Sequence, residues 1–281
     1  DFEDCFSAVL ERELQASERE VEVINLGVGG YGTLQEVLAL EEHGLQYQPD
    51  LIILAFYTEN DLMDNSKELQ GATLRGNDLK VSARPFLEPG DGWNVSQVNY
   101  HRAEEEFRRK RTWLNRTAIG QKWLQRSSGA SRPLSNAEAA ILRFKVYSSL
   151  SSVDYDAAWL ITRRILERLK SDASRHEAEI LIMTVPALIE TDEGYRTKGL
   201  AELKTSSDEI GKDIPQKRLG KIAKELQIPF LDLTADFREQ EAEPGTQLFR
   251  GYDLHWNAQG HRLAASRVVD RIRRDFLADV R

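Results

Sequence analysis

The stretch Leu51-Ile-Ile-Leu-Ala-Phe-Tyr-Thr-Glu-Asn-Asp61 decides the fold. Its first seven residues are apolar without a break, with Pro49 just before them and polar residues closing them off. A strand with one wet face alternates apolar and polar residues, whereas a strand covered on both faces does not. Residues 51–57 therefore read as a central parallel strand whose carboxyl end delivers Thr58, Glu59, Asn60 and Asp61. Upstream, Val21-Glu-Val-Ile-Asn25 reads as a short β-branched strand running into Gly27-Val-Gly-Gly-Tyr-Gly32. A helix is expected from Thr33, with Thr33 and Glu36 as a capping box and Leu34, Val37, Leu38 and Leu45 along it. Further upstream, Phe6, Val9, Leu10 and Leu14 mark an amphipathic helix.

Downstream, residues from about 64 to 150 break this rhythm and read as a partly helical insertion. It holds the turn-rich Glu88-Pro-Gly-Asp-Gly-Trp93 and a basic stretch from Arg108 to Arg126 with Trp113 and Trp123. That stretch could face a polyanion or a membrane surface, or be a solvated helix docked by its tryptophans. The nearby Glu104, Glu105 and Glu106 favour the second. The rhythm resumes with a helix over about 155–175, the strand Glu179-Ile-Leu-Ile-Met-Thr-Val185 and a helix around Gln216 to Leu226. The short strand Pro229-Phe-Leu-Asp-Leu233 follows, then a flexible-looking link over 238–245. In the final helix Leu263, Val268, Ile272 and Phe276 recur behind an N-cap at Asn257. Repeated strand–helix units predict an α/β fold, three layers α/β/α with a central, mostly parallel sheet. One domain over 1–281 with the insertion at 64–150 is the simplest division, with no internal repeat.

Bulk numbers narrow the partners. Lys and Arg number 38 against 46 Asp and Glu, a net charge of −8, which argues against general affinity for nucleic acid or anionic membranes. A single cysteine, Cys5, excludes an internal disulfide framework and a cysteine-rich metal site without fixing the compartment. No run of about 18 apolar residues occurs, so no transmembrane segment is expected. Oligomeric state is not written in the sequence. Asn94-Val-Ser and Asn115-Arg-Thr match the short glycosylation acceptor pattern.

Three stretches are expected at the carboxyl edge of the sheet, where ligands bind in such folds: 27–32, 59–61 and 253–255. In an extended segment, side chains two apart point the same way, so Asp253 can hold the ring of His255 as the acid–base half of a nucleophilic relay. The plainer reading is a loop histidine beside an N-cap. Gly27, Gly29 and Gly32 formally match a dinucleotide fingerprint, but the helix opens after the third glycine and Glu59 falls later than the usual ribose acid. The other use of such a turn is an oxyanion hole, in which a backbone N–H and a side-chain amide donate to a developing negative oxygen. Asn60 is the natural amide, and its plainer reading, with Asp61, is a turn cap.

Together these residues resemble the SGNH (GDSL-type) hydrolases. Asn25-Leu-Gly-Val-Gly-Gly-Tyr-Gly-Thr33 looks like that family's glycine block, which implies Gly30 as the oxyanion N–H. Glu59-Asn60-Asp61 looks like its asparagine block, and Asp253-Leu-His255-Trp-Asn-Ala-Gln-Gly-His261 its histidine block. The resemblance spans residues 1–62 and about 153–281. It implies a flavodoxin-like α/β/α fold, an acyl-ester hydrolase or acyltransferase, catalytic His255 and Asp253, oxyanion donors Gly30 and Asn60, and neither metal nor organic cofactor. Two features depart from the family pattern: Tyr57 stands where a glycine usually opens the asparagine block, and the acid precedes His255 by two residues rather than three. The two-residue spacing is similar to the branch related to alginate and cell-wall O-acetylation, which implies an acetylated carbohydrate as substrate. The family's Gly-Asp-Ser occurs nowhere in the chain. The resemblance places the nucleophilic serine shortly upstream of Asp1; Ser7 falls on the first helix and is not assigned. A catalytically inactive version of the same cleft, holding an acylated glycan or a protein partner, is the alternative.

Overall fold

The computed structural model describes residues 2–16, 20–73, 84–90, 92–96, 145–148, 152–203, 210–251 and 255–277. The basic stretch 108–126, most of the segment 64–150 expected to be an insertion, and Asp253 lie outside them. Helix α1 (Phe6–Gln15) is followed by an extended segment and by α2 (Thr33–Ala39), which widens into a π turn over Leu40–Gly44 and tightens over Leu45–Tyr47. Strand β1 (Leu51–Tyr57) leads into α3 (Asp61–Asp64) and α4 (Lys67–Thr73). Helix α5 (Val153–Arg175), strand β2 (Glu179–Val185), α6 (Leu188–Thr191), α7 (Glu193–Leu203) and α8 (Ile214–Glu225) come next. Strand β3 (Phe230–Leu231), α9 (Thr234–Glu241) and α10 (Ala258–Asp275) complete the order.

The described strands form one parallel sheet in the order β1-β2-β3, with Leu51 opposite Glu179, Tyr57 opposite Val185, and Ile182 opposite Phe230. Side-chain alternation along each strand splits the interior into two layers. Ile52, Leu54, Phe56, Ile180 and Ile182 point to one side, where α2, α5 and α8 supply Leu34, Val37, Ile165, Leu166, Leu169 and Leu219. Leu181 and Met183 point to the other, against Val9, Leu10 and Leu14 of α1 and Ala264, Val268 and Val269 of α10, with Leu51, Ile53 and Ala55 of β1 packed on the same cluster. The α/β/α arrangement read from the uninterrupted apolar strand is thus the observed one.

Three local expectations need correction. Val21–Asn25 is in no sheet among the described residues. Its backbone is instead held by α1: Gln15 Nε2 donates to the Val21 carbonyl at 2.7 Å, and the Val23 N–H donates to Glu11 Oε2 at 2.7 Å. The alternation still sets burial, since Val21 and Val23 face the α1/α10 core while Glu22 and Ile24 are exposed. Helix α2 is capped at Gly32 rather than Thr33: Gln35, the third helical residue, reaches back to the Gly32 N–H at 3.4 Å, and Thr33 is already inside the helix and buried. Finally, Arg238 to Glu241 belong to α9, because Phe237 is fully buried and Arg238 is anchored to Asp213 at 2.5 Å and to the Glu190 carbonyl at 2.6 Å.

Candidate active site

The glycine stretch closes as a turn in which the Tyr31 N–H donates to the Val28 carbonyl at 3.1 Å. Gly30, the third residue of that turn, has φ +84°, a left-handed conformation that a side chain would strain. The turn's own bond uses neither the N–H nor the C=O of Gly30. The carbonyl of Gly30 instead accepts from Nη2 of Arg84 at 2.5 Å. Gly32 lies so close to α3 that an added Cβ would meet the Asp64 Cβ at 2.6 Å, so glycine there is what lets the turn seat on the end of β1. Asn65 completes the contact: its Oδ1 accepts from the Leu34 N–H at 3.0 Å, and its Nδ2 donates to Thr162 Oγ1 at 3.1 Å.

Asn60 is the residue before α3, but its side chain does not cap that helix. Nδ2 donates to Asp64 Oδ2 at 3.0 Å, which leaves a second amide hydrogen, while Oδ1 is buried and meets no donor among the described residues. The capping role falls to its neighbour: Asp61 Oδ2 accepts from the Tyr57 N–H at 2.8 Å, closing the end of β1. Asp64 also faces Arg84, with Nη1 3.4 Å from Oδ2. The structure therefore brings Gly30 and Asn60, which stand 30 residues apart in sequence, onto one guanidinium-centred network at the carboxyl end of β1.

That network is rich in buried carboxyls. Burial, reinforced by the charge of Asp64, pushes Glu36 up to about 7, and its Oε2 is buried with no donor among the described residues. Asp61 lies well above the ordinary aspartate range, first through burial and then through Glu36. On the far side of the β1 end, Glu190 accepts from Thr58 Oγ1 at 2.7 Å, from the Ala187 N–H at 2.7 Å, and from Gln216. Burial raises it to about 8 against the opposing pull of those donors. Tyr57, in the position where the resembling family has glycine, donates its hydroxyl to Glu59 Oε2 at 2.8 Å.

His255 stands on a separate hairpin. The Arg250 N–H donates to the His255 carbonyl at 2.7 Å and the Asn257 N–H to the Leu248 carbonyl at 2.8 Å, so residues 248–250 pair antiparallel with 255–257, and His255 is exposed just ahead of α10. Asn257 caps that helix as expected, accepting from the N–H groups of Gln259 and Gly260 at 2.8 and 3.1 Å. His261, one turn into α10, is held below the usual histidine range by burial and by the positive Arg250. Arg262 pairs with Asp4 at 2.9 Å, and Ser7 Oγ accepts from Asn25 Nδ2 at 3.1 Å, while Asn25 Oδ1 takes the Gly27 N–H at 2.8 Å. The entry to α1 is consequently tied on one side to the start of α10 and on the other to the segment leading into the glycine turn. Among the described residues, no group of three or more His, Cys, Asp or Glu is placed to hold a metal ion, and no helix is long and apolar enough to cross a membrane.

Arg84 and Asp64 were not singled out by sequence. Arg84 sits in the segment read from the sequence as an insertion, where no motif marks it. Asp64 had a usable signal, since it follows Asn60 by one helical turn.

No family model and no curated protein matches the chain. Among solved structures it is similar to an acetyl xylan esterase, at 12% identity and a TM-score of 0.47 over 96% of this chain and 91% of that one. A second solved chain aligns at 17% identity and a TM-score of 0.30 over 48% of this chain and 61% of that one.

Proposed function

We propose that the chain carries the oxyanion-binding and base portions of a serine-dependent esterase or O-acyltransferase acting on small acyl esters, acetyl esters of carbohydrates foremost. The observation that carries this reading is a pair of donors of different kinds joined through Arg84 and Asp64 in one network at the carboxyl end of β1. One is the N–H of Gly30 in a left-handed turn, and the other is the amide of Asn60, which makes no cap bond to α3 and is held by Asp64 of that helix. A tetrahedral oxyanion needs such a pair, set in place before charge develops. The entry to α1 is tied through Ser7 to Asn25, ahead of the glycine turn, and through Asp4 to Arg262 in α10, behind His255, which supports a nucleophile delivered beside α1.

In this mechanism the upstream serine hydroxyl attacks the ester carbonyl while His255 takes its proton. The oxyanion forms against Gly30 N–H and Asn60 Nδ2. Collapse expels the alcohol, which receives the proton from His255, and leaves an acyl-serine for water or a second alcohol to resolve. Asp253 holds the imidazole through the step in which it is charged.

Kinetics on acetylated sugar esters, in protein whose chain extends through the upstream serine, test the reading. Asn60→Ala is expected to lower kcat by about a hundred- to a thousand-fold, and His255→Ala by at least as much. Unchanged turnover in both variants overturns it, and tight binding of an acetylated glycan with no turnover in the parent protein would establish the binding-module alternative instead.

A further inference from the structure

The geometry points to Arg84 as the positioning residue that sets Gly30 and Asn60 at a common distance from one oxygen, a role nothing in the sequence assigns; it rests on the esterase reading of that site. The planar fork of one guanidinium reaches both turns. Nη2 donates to the Gly30 carbonyl at 2.5 Å; Nη1 donates to Gln35 Oε1 at 3.0 Å and faces Asp64 Oδ2 at 3.4 Å. Each acceptor is the handle of a part that matters. The Gly30 carbonyl fixes the peptide next to the Gly30 N–H. Gln35 Oε1 takes the Gly32 N–H at 3.4 Å and so ties the fork to the cap of α2, and Asp64 Oδ2 takes Asn60 Nδ2 at 3.0 Å and aims the amide.

Charge and shape both matter here. Among the groups facing this cluster, Glu36 and Asp61 are carboxyls raised first by burial, Asp64 adds to both, and Arg84 is a cation that opposes the rise at Asp61. Arg84 and Asp64 side chains are 19% and 6% exposed, so water does not substitute for the fork at the Asp64 end. A lysine would keep the charge but offers a single compact ammonium, which cannot satisfy acceptors on both turns at once. Loss of the fork frees the Gly30 peptide to rotate and the Asn60 amide to swing, and oxyanion donors act only when held in place before the reaction. The inserted segment thus contributes to the site without touching substrate.

Arg84→Met and Arg84→Lys, in the same extended protein, are expected to lower kcat by about ten- to a hundred-fold while KM moves by less than about threefold, because the lost interaction acts in the transition state. Adding Asn60→Ala to Arg84→Met should cost much less than Asn60→Ala costs alone, since both act through one amide. Hydrogen exchange of the peptide spanning residues 27–33 should accelerate in Arg84→Met, whereas peptides from β2 stay protected. Unchanged exchange at 27–33, or a kcat loss that follows only the fraction of unfolded protein, overturns the role of Arg84. If the parent protein hydrolyses no ester, the esterase reading has failed and the exchange measurement alone decides whether Arg84 holds the two turns.

Discussion

Glu36 shows how much a single residue can be shaped by what surrounds it. On the helix surface of α2 it would be an ordinary carboxylate, but α3 brings Asp61 and Asp64 against it, and Oε2 is left without a donor among the described residues. The folded chain keeps its proton up to about pH 7, against 4.5 for the ordinary group. Between those values the native state binds more protons than the unfolded chain, so stability falls as pH rises through the window. Glu190, raised to about 8, extends the same slope upward, and Asp61 contributes with the same sign. Glu36→Gln keeps the shape and removes the titration. Its urea midpoint should vary less between about pH 5 and about pH 7.5 than that of the parent, with the residual slope belonging to Asp61 and Glu190. An unaltered slope would show that Glu36 ionises normally in the fold.

At the scale of elements, periodicity and capping were legible where the decisive contacts are local. The bounds of β1 follow from an unbroken apolar run, β2 is marked by the apolar run 180–183 within it, and α10 follows from Asn257, whose side chain needs only two N–H groups within three residues. Asn257→Ala should therefore cost about 1 kcal/mol, read as a lowered urea midpoint with unchanged slope. A loss near zero would mean that its Nδ2 bond to the Gln247 carbonyl at 2.6 Å and the cap bonds are replaced by water without penalty. Where partners come from far away, sequence was silent or misleading. Val21–Asn25 has the composition of a strand, yet its N–H and C=O partners are the side chains of Glu11 and Gln15, which no pattern in 21–25 reveals. Likewise Thr33 and Glu36 satisfy a capping pattern, but the approach of Asp64 to Gly32 fixes the helix start one residue earlier. Gly30 and Asn60 were legible as residue types; the link between them was not, because Arg84 is supplied by a segment 54 residues beyond the glycine turn.

For the molecule as a whole, one thin sheet separates two cores, so each strand residue commits to one layer. Leu166 of α5 is fully buried on one side, and Val268 of α10 fully buried on the other. Both layers share β1 and β2 as a common floor, and Thr184, at the end of β2, fastens β3 to the sheet by accepting from the Leu233 N–H at 3.0 Å and donating to Asp232 Oδ1 at 3.0 Å. Neither layer can lose its helices without exposing the other face of the same strands to rearrangement, and that coupling argues for one cooperative unit despite the two clusters. Leu166→Ala is expected to destabilise by about 2 to 5 kcal/mol and Val268→Ala by roughly 1 to 3 kcal/mol, through lost burial and the cavity left behind. Because the sites lie on opposite sides of the sheet and share no partner, their effects should add within about 0.5 kcal/mol in the double variant. Trp159 reports on the first layer and Trp256 on the second, so the transitions followed through either tryptophan, with the other four tryptophans of the chain replaced by phenylalanine, should coincide. Two separated transitions, with Leu166→Ala moving only the one seen by Trp159, would show instead that the layers unfold independently and that the sheet does not carry the coupling between them.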